Sequence, residues 1–283
     1  MNILIVTPAP PRSRSGNRVT ALRWSRMLRE LGHTVRIAEA YHRQRCDLLI
    51  ALHARRSFPS IRDFRNIHPA KPLVLALTGT DLYGDIHSDA DAATALELAD
   101  RLIVLQPYGV DELPPRHRAS ARVIFQSVMP PPALENTSAS GRQNWFDACV
   151  LGHLRPVKDP FRAAAAARLL PASSRIRILH AGGVLESEMA AQARAEHTGN
   201  PRYHWLGELP RWRALRLLAK SRLLILSSQM EGGANVVGEA LACGTPVLSS
   251  RISGSVGLLG PGYAGYFPYA DTQALAELLQ RAE

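Results

Sequence analysis

The sequence is poor in cysteine and has no long apolar run. Its three cysteines, Cys46, Cys149 and Cys243, lie far apart and lack the spacing of a metal site. Isolated cysteines of this kind are typical of reduced thiols in the core of a cytoplasmic protein. No apolar run approaches the ~18 residues that a membrane-spanning helix requires. We therefore expect a cytoplasmic protein with neither a disulfide framework nor a membrane span.

Further signatures are missing as well. Residues 1–6 have no basic region and are too short for the apolar core of a signal peptide, so we expect a first strand there. The loop that follows contains Gly16 but not the G-x-G-x-x-G pattern, which argues against a nicotinamide-dependent enzyme. No D-x-D motif with supporting acids stands at a predicted strand end. The residues themselves therefore indicate neither a nicotinamide cofactor nor a metal site of this kind.

The charge balance is strongly basic. The 283 residues include 34 Lys and Arg against 24 Asp and Glu, a formal net charge of +10. Basic surfaces suit nucleic acid, anionic membranes or phosphorylated ligands. The basic residues are scattered and no nucleic-acid-binding motif is present, so we expect small-molecule partners, with no nucleic acid and no stable membrane association. The length suits two compact domains, each with its own core.

The most informative stretch is 231–246, which reads EGGANVVGEALACGTP. Apolar runs at 222–228 and 246–250 flank it, and both are typical of buried parallel strands. The pattern predicts a strand, a loop, a helix and a second strand. In such sheets ligands bind where the loops leave the carboxyl ends of the strands. This stretch is therefore the first candidate for a ligand site.

The residue types in this stretch suit an extended, phosphorylated ligand. Gly232 and Gly233 allow the backbone to approach a ligand closely. Glu231 stands at the start of the helix, and Glu239 lies about 12 Å further along its axis. The first amides of a helix form an anion site, and here they belong to Gly233, Ala234 and Asn235. Two acids on either side of an anion site suit a nucleotide-sugar. The alternative is a pair of surface glutamates on an amphipathic helix.

The spacing E-G-G-x-x-x-x-x-E, followed by A-x-A-C-G-T-P-V, resembles the donor-site signature of retaining GT-B glycosyltransferases of family 4. The resemblance extends over nearly the whole chain and is strongest over residues 146–256. It implies that Glu231 lies beside the transferred sugar and that Glu239 holds the ribose hydroxyls. It also implies an α/β fold of two facing Rossmann-like domains with a donor cleft between them. Because GT-B enzymes do not need a D-x-D metal site, it further implies a reaction with no cofactor and no metal.

The domain boundaries follow from this resemblance and from composition. Residues 131–145, rich in Pro, Ser, Ala and Asn, are the predicted linker. Residues 1–130 form the predicted acceptor-side domain and residues 146–270 the predicted nucleotide-sugar-binding domain. Residues 271–283 are predicted to form a C-terminal helix.

Two loops of the first half resemble family loops. A basic loop at 8–18 precedes the first predicted helix, and its Gly16 and Asn17 resemble the family's glycine-containing loop. We expect its arginines to bind an anionic acceptor and the donor phosphates. These residues are Arg12, Arg14 and Arg18. The stretch Thr78-Gly79-Thr80-Asp81 resembles the family's His-Gly-Thr-Asp, with Thr78 at the histidine position. Thr78, Gly79 and Asp81 are therefore candidate contacts for sugar or acceptor. The alternative for the basic loop is a mobile surface loop. The alternative for the Thr78 loop is an Asp-capped loop before a helix.

The second half contains a further donor motif. Residues 152–158, GHLRPVK, resemble the family's Gly-Arg-Leu-x-x-x-Lys, whose cations hold the diphosphate. Lys158 matches, His153 stands at the arginine position, and Arg155 is a candidate substitute. Cations at this place would stabilise the charge that builds on the leaving diphosphate, whereas the alternative for Lys158 is a solvated loop lysine. Gly207 belongs to the loop that, by resemblance, reads the base.

A narrower resemblance is to the selenosugar synthases of selenoneine biosynthesis. The segments TPAPPRSRSGNRVTALRW, ALTGTDLYGD, LGHLRPVKDP and MEGGANVV carry it. It implies transfer of a sugar, most simply from UDP-N-acetylglucosamine, to selenophosphate. A trianionic acceptor would suit the arginine-rich loop, and a selenium nucleophile needs little help from a general base. Two other functions stay open: a family-4 transferase acting on a glycan, lipid or small thiol, and a non-catalytic nucleotide-sugar binder. The oligomeric state is not predicted.

Overall fold

The computed structural model describes residues 1–128, 145–185 and 187–283. The chain divides into two compact units. The first comprises Met1–Ser127 with Met230–Ala234, and the second comprises Val128–Gln229 with Asn235–Glu283. The predicted linker 131–145 lies outside the described residues except for Trp145.

The first unit is built on a six-stranded parallel sheet in the order β2-β1-β3-β4-β5-β6. The strands are β1 Asn2–Val6, β2 Thr34–Ala38, β3 Leu48–Leu52, β4 Leu73–Ala76, β5 Arg101–Val104 and β6 Ala121–Val123. The helices are α1 Gly16–Glu30, α2 Phe58–Ile67, α3 Ile86–Ser88, α4 Ala90–Leu98 and α5 Pro115–Arg118. A π-helical turn spans Asp81–Asp85, and a 3-10 turn spans Pro107–Gly109.

Both faces of this sheet are covered. Leu4 and Leu49 pack with Phe64 of α2 on one face, while Ile5 packs with Trp24 of α1 on the other. This double burial explains why the strands appear in the sequence as continuous apolar runs. The strand order reverses between β1 and β3, so the loops that follow these two strands leave the sheet at its switch point, where ligands bind in folds of this type.

The first helix begins earlier than the sequence predicts. Gly16, Asn17 and Arg18, which were assigned to the basic loop, form the first turn of α1. After the helix, Gly32 adopts a left-handed φ of 84°, and its amide donates to the carbonyl of Arg29 at 2.9 Å. A glycine terminates the helix here because it adopts this conformation without steric cost.

The second unit contains another six-stranded parallel sheet, in the order β12-β11-β10-β7-β8-β9. The strands are β7 Phe146–Leu151, β8 Ile176–Ala181, β9 Tyr203–Trp205, β10 Leu223–Leu226, β11 Val247–Ser250 and β12 Tyr266–Phe267. The helices are α6 Arg162–Arg168, α7 Ser187–Gly199, α8 Arg211–Lys220, α9 Asn235–Cys243, α10 Ser253–Leu259 and α11 Thr272–Ala282. A 3-10 turn spans Pro156–Lys158.

The strand order of the second unit is that of a dinucleotide-binding fold, with its switch point between β7 and β10. The loops after these two strands contain the second donor motif and the start of the segment that leads to Glu231. The C-terminal helix α11 is part of this unit's core, because Leu275 and Leu279 are fully buried with Ala163 and Ala167 of α6. The predicted fold class, two Rossmann-like α/β units, is confirmed. Among the described residues, no helix has both the length and the apolar character needed to cross a membrane.

Candidate functional site

The loop after β4 is fixed by a buried carboxylate. Asp81 is fully buried, and its Oδ1 accepts hydrogen bonds from the amides of Thr78 at 2.9 Å and Gly79 at 2.8 Å. Its Oδ2 accepts from the amide of Ala54, in the loop after β3, at 3.0 Å. Charge-assisted bonds of this kind are strong. Asp81 therefore acts in this structure as a residue that positions Thr78 and Gly79.

Residues 230–234 pack on this loop within the first unit. A Cβ atom at Gly232 would lie 2.5 Å from the carbonyl oxygen of Thr78 and 2.7 Å from the amide nitrogen of Gly79, and one at Gly233 would overlap Leu105. The two glycines are thus required by packing, in addition to any approach of a ligand. The same segment contains Glu231, which is 8% exposed. The structure therefore brings the Glu231 segment and the Thr78 loop together.

A histidine that the candidate set omits lies beside this loop. His53 directly follows β3, has a left-handed φ of 79° and is buried. Its Nδ1 lies 3.4 Å from the amide of Arg56, while its Nε2 lies 3.3 Å from Thr80 Oγ1 and 3.8 Å from Asp85 Oδ2. Burial lowers the pKa of His53, against the opposing effect of Asp81, so the neutral ring is favoured. Its position directly after a parallel strand, like that of Thr78, was the available sequence signal.

The predicted acceptor residues follow β1. Arg12 and Arg14 are exposed, whereas Arg18 is half-buried in the first turn of α1. Gly16 and Asn17 lie in the same turn, so this part of the predicted site belongs to a helix N-terminus rather than to a free loop. Helix N-termini attract anions through their amides and dipole. The binding of an anionic acceptor at these residues therefore stays a prediction.

In the second unit, His153 is oriented by a backbone amide. The amide of Gly183 donates to His153 Nδ1 at 3.1 Å, and the amide of Leu154 donates to the carbonyl of Gly183 at 2.9 Å. Because Nδ1 accepts, we assign the ring proton to Nε2. His153 therefore presents an N–H donor, so it can donate to a phosphate at the position where the family motif has arginine.

A buried histidine contacts the backbone of the loop that contains His153. The hydroxyl of Tyr203 lies 2.7 Å from His180 Nδ1, and His180 Nε2 lies 3.1 Å from the carbonyl oxygen of Gly152. Burial lowers the pKa of His180 to about 4, so the ring is neutral, accepts from Tyr203 and donates to Gly152. This chain of hydrogen bonds ties β9 through β8 to the loop that precedes His153.

Lys158 ends the 3-10 turn Pro156–Lys158. Ser227 Oγ donates to the carbonyl of Lys158 at 3.2 Å and to that of Asp159 at 2.8 Å. The amide of Gln229 donates to the carbonyl of Val157 at 2.9 Å. The turn is thus attached to the residues that follow β10, the other strand at the switch point. Arg155, the N-cap of this turn, is half-buried.

The predicted ribose acid is already paired with a cation. Glu239, on α9, is 8% exposed, and its Oε1 lies 2.5 Å from Nη1 of Arg211. Gly207, in the predicted base-reading loop, has a φ of 68°, and its carbonyl accepts from the amide of Gly182 at 2.9 Å. Arg211 did not appear in the sequence-based set, because a basic residue at the start of an amphipathic helix is an ordinary surface feature.

The two groups of predicted residues therefore belong to different units. The first unit contains the Thr78 loop, the Glu231 segment and the basic residues after β1, while the second contains His153, Arg155, Lys158, Gly207 and Glu239. Over residues 1–128, 145–185 and 187–283, no cluster of three or more His, Cys, Asp or Glu side chains is arranged to hold a metal ion.

Comparisons with known proteins agree with this architecture. The family model described as glycosyl transferases group 1 matches residues 140–283. No curated protein sequence matches the chain. The structure is similar to that of HepE from Anabaena in complex with UDP and glucose, with a TM-score of 0.77 at 17% identity, over 99% of this chain and 89% of that chain.

Two further solved structures share the fold. Sucrose-phosphate synthase from Thermosynechococcus elongatus is 16% identical, with a TM-score of 0.75 over 99% of this chain and 88% of that one. A UDP-forming α,α-trehalose-phosphate synthase from Burkholderia vietnamiensis is 13% identical, with a TM-score of 0.67 over 94% of this chain and 68% of that one. At these identities the similarity concerns the fold.

Proposed function

The chain belongs to the glycosyl transferases group 1, and we propose that it transfers a sugar from a UDP-sugar to selenophosphate, with formation of a C–Se bond. UDP-N-acetylglucosamine is the proposed donor, and neither a metal nor a cofactor is required. The observation that carries the glycosyl-transfer proposal is the packing of the Glu231–Gly233 segment on the Thr78–Gly79 loop. That packing fixes an acid and a run of backbone amides beside a rigid loop.

The donor phosphates would be held by fixed donors. Lys158, Arg155 and the Nε2–H of His153 provide positive or hydrogen-bonding groups on the second unit. The amides at the start of α9 add the dipole of a helix N-terminus. Groups of this kind lower the barrier because the negative charge on the diphosphate increases as the glycosidic bond breaks. UDP as the nucleotide is supported by the fold shared with HepE, whose structure contains UDP.

The proposed reaction needs no base at the nucleophile. The anionic selenium of selenophosphate forms a bond to the anomeric carbon, while the bond from that carbon to the diphosphate oxygen breaks and its electron pair leaves with UDP. Hydrolysis of the P–Se bond by water then releases phosphate and the selenosugar. Thr78 at the usual histidine position is consistent with such a nucleophile. Arg12, Arg14 and Arg18 are the proposed contacts of the trianionic acceptor, through charge-assisted hydrogen bonds to its phosphate oxygens.

A second acceptor class is supported by the structural neighbours. Sucrose-phosphate synthase and trehalose-phosphate synthase share the fold, and both names describe products with C–O bonds between sugars. A family-4 transferase acting on a glycan, a lipid or a small thiol is therefore the alternative function. Thr78 is the residue that separates the two, because a hydroxyl or thiol acceptor has to lose a proton during transfer.

The test is an anaerobic incubation of the purified protein with UDP-N-acetylglucosamine and selenophosphate, followed by mass spectrometry for UDP and a selenosugar. Thiophosphate and phosphate serve as matched acceptors that lack selenium, and UDP-glucose serves as the alternative donor. The E231A variant, which we expect to stay folded and to lose turnover, serves as the inactive control. UDP release only with a glycan, lipid or thiol acceptor would support the alternative. Tight UDP binding without turnover with any acceptor would indicate a non-catalytic binder.

A further inference from the structure

An ion pair in the second unit joins the start of α8, next to the predicted base-reading loop, to Glu239, the predicted ribose acid. Arg211 is the first residue of α8, and its Nη1 lies 2.5 Å from Oε1 of Glu239 on α9. The two residues are 28 positions apart in the sequence. The carboxylate side chain is 11% exposed and the guanidinium side chain 48%. The pair therefore consists of a buried acid and a cation that reaches it from the surface.

The position of Arg211 is not explained by the helix that contains it. A cation in the first turn of a helix opposes the helix dipole, whose positive end lies there. Arg213, two residues further along the same helix, lies instead over the ring of Trp212, with its Cζ 5.0 Å from the ring centroid. Glu239, by contrast, needs a partner, because a buried carboxylate is costly unless it is paired and hydrogen-bonded. The acid on α9 thus accounts for the cation at the start of α8.

The location of the pair connects it to the predicted base-reading loop. Arg211 follows Gly207–Pro210 directly, and Gly207 is attached to the end of β8 through its hydrogen bond from Gly182. Any shift of this loop moves the first turn of α8 and therefore Arg211. The ion pair makes the position of the loop and the orientation of the Glu239 carboxylate depend on each other.

We propose that Arg211 is a positioning residue for the nucleoside: it holds Glu239 so that the carboxylate accepts hydrogen bonds from the ribose hydroxyls of a bound UDP-sugar. A carboxylate has two oxygens with about four acceptor sites. A bond from Arg211 to Oε1 is therefore compatible with bonds from two neighbouring hydroxyls. This inference rests on the proposed use of a UDP-sugar. Its consequence is that discrimination between ribose and 2′-deoxyribose depends on Arg211, through its ion pair with Glu239.

Calorimetric binding of UDP and of 2′-deoxy-UDP to the wild type, R211Q and R211K tests the inference. We expect R211Q to bind UDP roughly tenfold more weakly than the wild type and to bind 2′-deoxy-UDP with little change. The ratio of the two affinities within one protein is independent of how much of that protein is folded. R211K, which can still reach the carboxylate as a point charge, should recover part of the preference for UDP. R213Q is the matched control and should behave as the wild type.

Steady-state kinetics provide a second readout. Loss of a contact that is made equally in the ground and transition states raises KM and leaves kcat nearly unchanged. We therefore expect R211Q to raise KM for the donor and to leave kcat nearly unchanged. If the wild type binds UDP and R211Q keeps the full preference over 2′-deoxy-UDP, Arg211 has no positioning role and the proposed function is unaffected. If the wild type binds neither nucleotide, the UDP-sugar function itself fails, and the inference fails with it.

Discussion

The carboxylate of Asp81 accepts a hydrogen bond from the amide of Gly79 at 2.8 Å, and the loop fixed in this way is the surface on which Gly232 packs. A buried acid therefore determines where the segment containing Glu231 is located. The same carboxylate reaches the loop after β3 through Ala54. Two neighbouring strand ends and the Glu231 segment thus depend on one side chain.

The D81N variant should be less stable than the wild type. An amide replaces one of the two acceptor oxygens with a donor, so at least one of three backbone amides, one buried and two partly buried, loses its partner. A buried unsatisfied group costs about 1–3 kcal/mol. Urea unfolding measures the difference. The control is D63N, at an exposed carboxylate paired with its neighbour Arg62, which should change the free energy of unfolding by less than about 0.5 kcal/mol. Equal stability of the two variants would contradict the positioning role of Asp81.

The G232A variant should lose both stability and turnover. Its methyl group would lie 2.5 Å from the carbonyl oxygen of Thr78, and backbone on both sides cannot move away cheaply. Overpacking of this kind costs about 1–3 kcal/mol, and the displacement should move Glu231 away from the reacting sugar. Thermal unfolding and the transferase assay measure the two effects. G262A adds a methyl group where nothing lies within 4 Å. Wild-type activity in G232A would show that the close packing is not needed.

His180 should make the stability of the protein depend on pH between about 6.5 and 4. The pKa of His180 is lowered from 6.5 to about 4 by burial, so the unfolded state binds a proton in this range that the folded state does not. The associated stability is present above pH 6.5 and is lost as the pH falls towards 4, by about 3 kcal/mol in total. His53, whose pKa is also lowered, contributes in the same direction.

Urea unfolding of the wild type and of H180Q at a series of pH values measures this dependence. Without the histidine, the slope of the unfolding free energy between pH 6.5 and 4 should be smaller, whatever the absolute stability of the variant. H87Q, at an exposed histidine, should keep the wild-type slope. A wild-type slope in H180Q would exclude His180 as the source.

The K158A variant should bind the donor more weakly and transfer the sugar more slowly. Ser227 donates to the backbone carbonyl of Lys158, so the main chain from which the ammonium group extends is fixed before the reaction begins. Loss of one fixed group that stabilises developing charge costs about 10²–10³ in kcat. Single-turnover kinetics separate this effect from product release. K220A, at an exposed lysine at the end of α8, is the control. Unchanged kinetics in K158A would remove Lys158 from the mechanism.

Much of the fold could be predicted because burial leaves a direct record in the sequence. Helices cover both faces of β1 and β10, so each strand appears in the sequence as an apolar run, and each is present with a shift of at most a few residues. The helix after Glu231 and the glycine that ends α1 follow from equally local rules. The predicted start of α1 was wrong, because the sequence Ser-Gly-Asn is as typical of a loop as of a helix N-terminus.

The sequence by itself determined the order of strands and helices, the two-unit architecture and the motifs that identify the family, since periodicity and glycine positions depend only on near neighbours in the chain. The tertiary structure alone decided which groups those motifs contact. Asp81 meets Ala54 across 27 positions and Arg211 meets Glu239 across 28. The first pair forms because β3 and β4 are neighbours in the sheet, so the loops after them lie side by side. The second forms because α8 packs against α9. Both arrangements depend on packing across a whole unit, and no local pattern of residues encodes them.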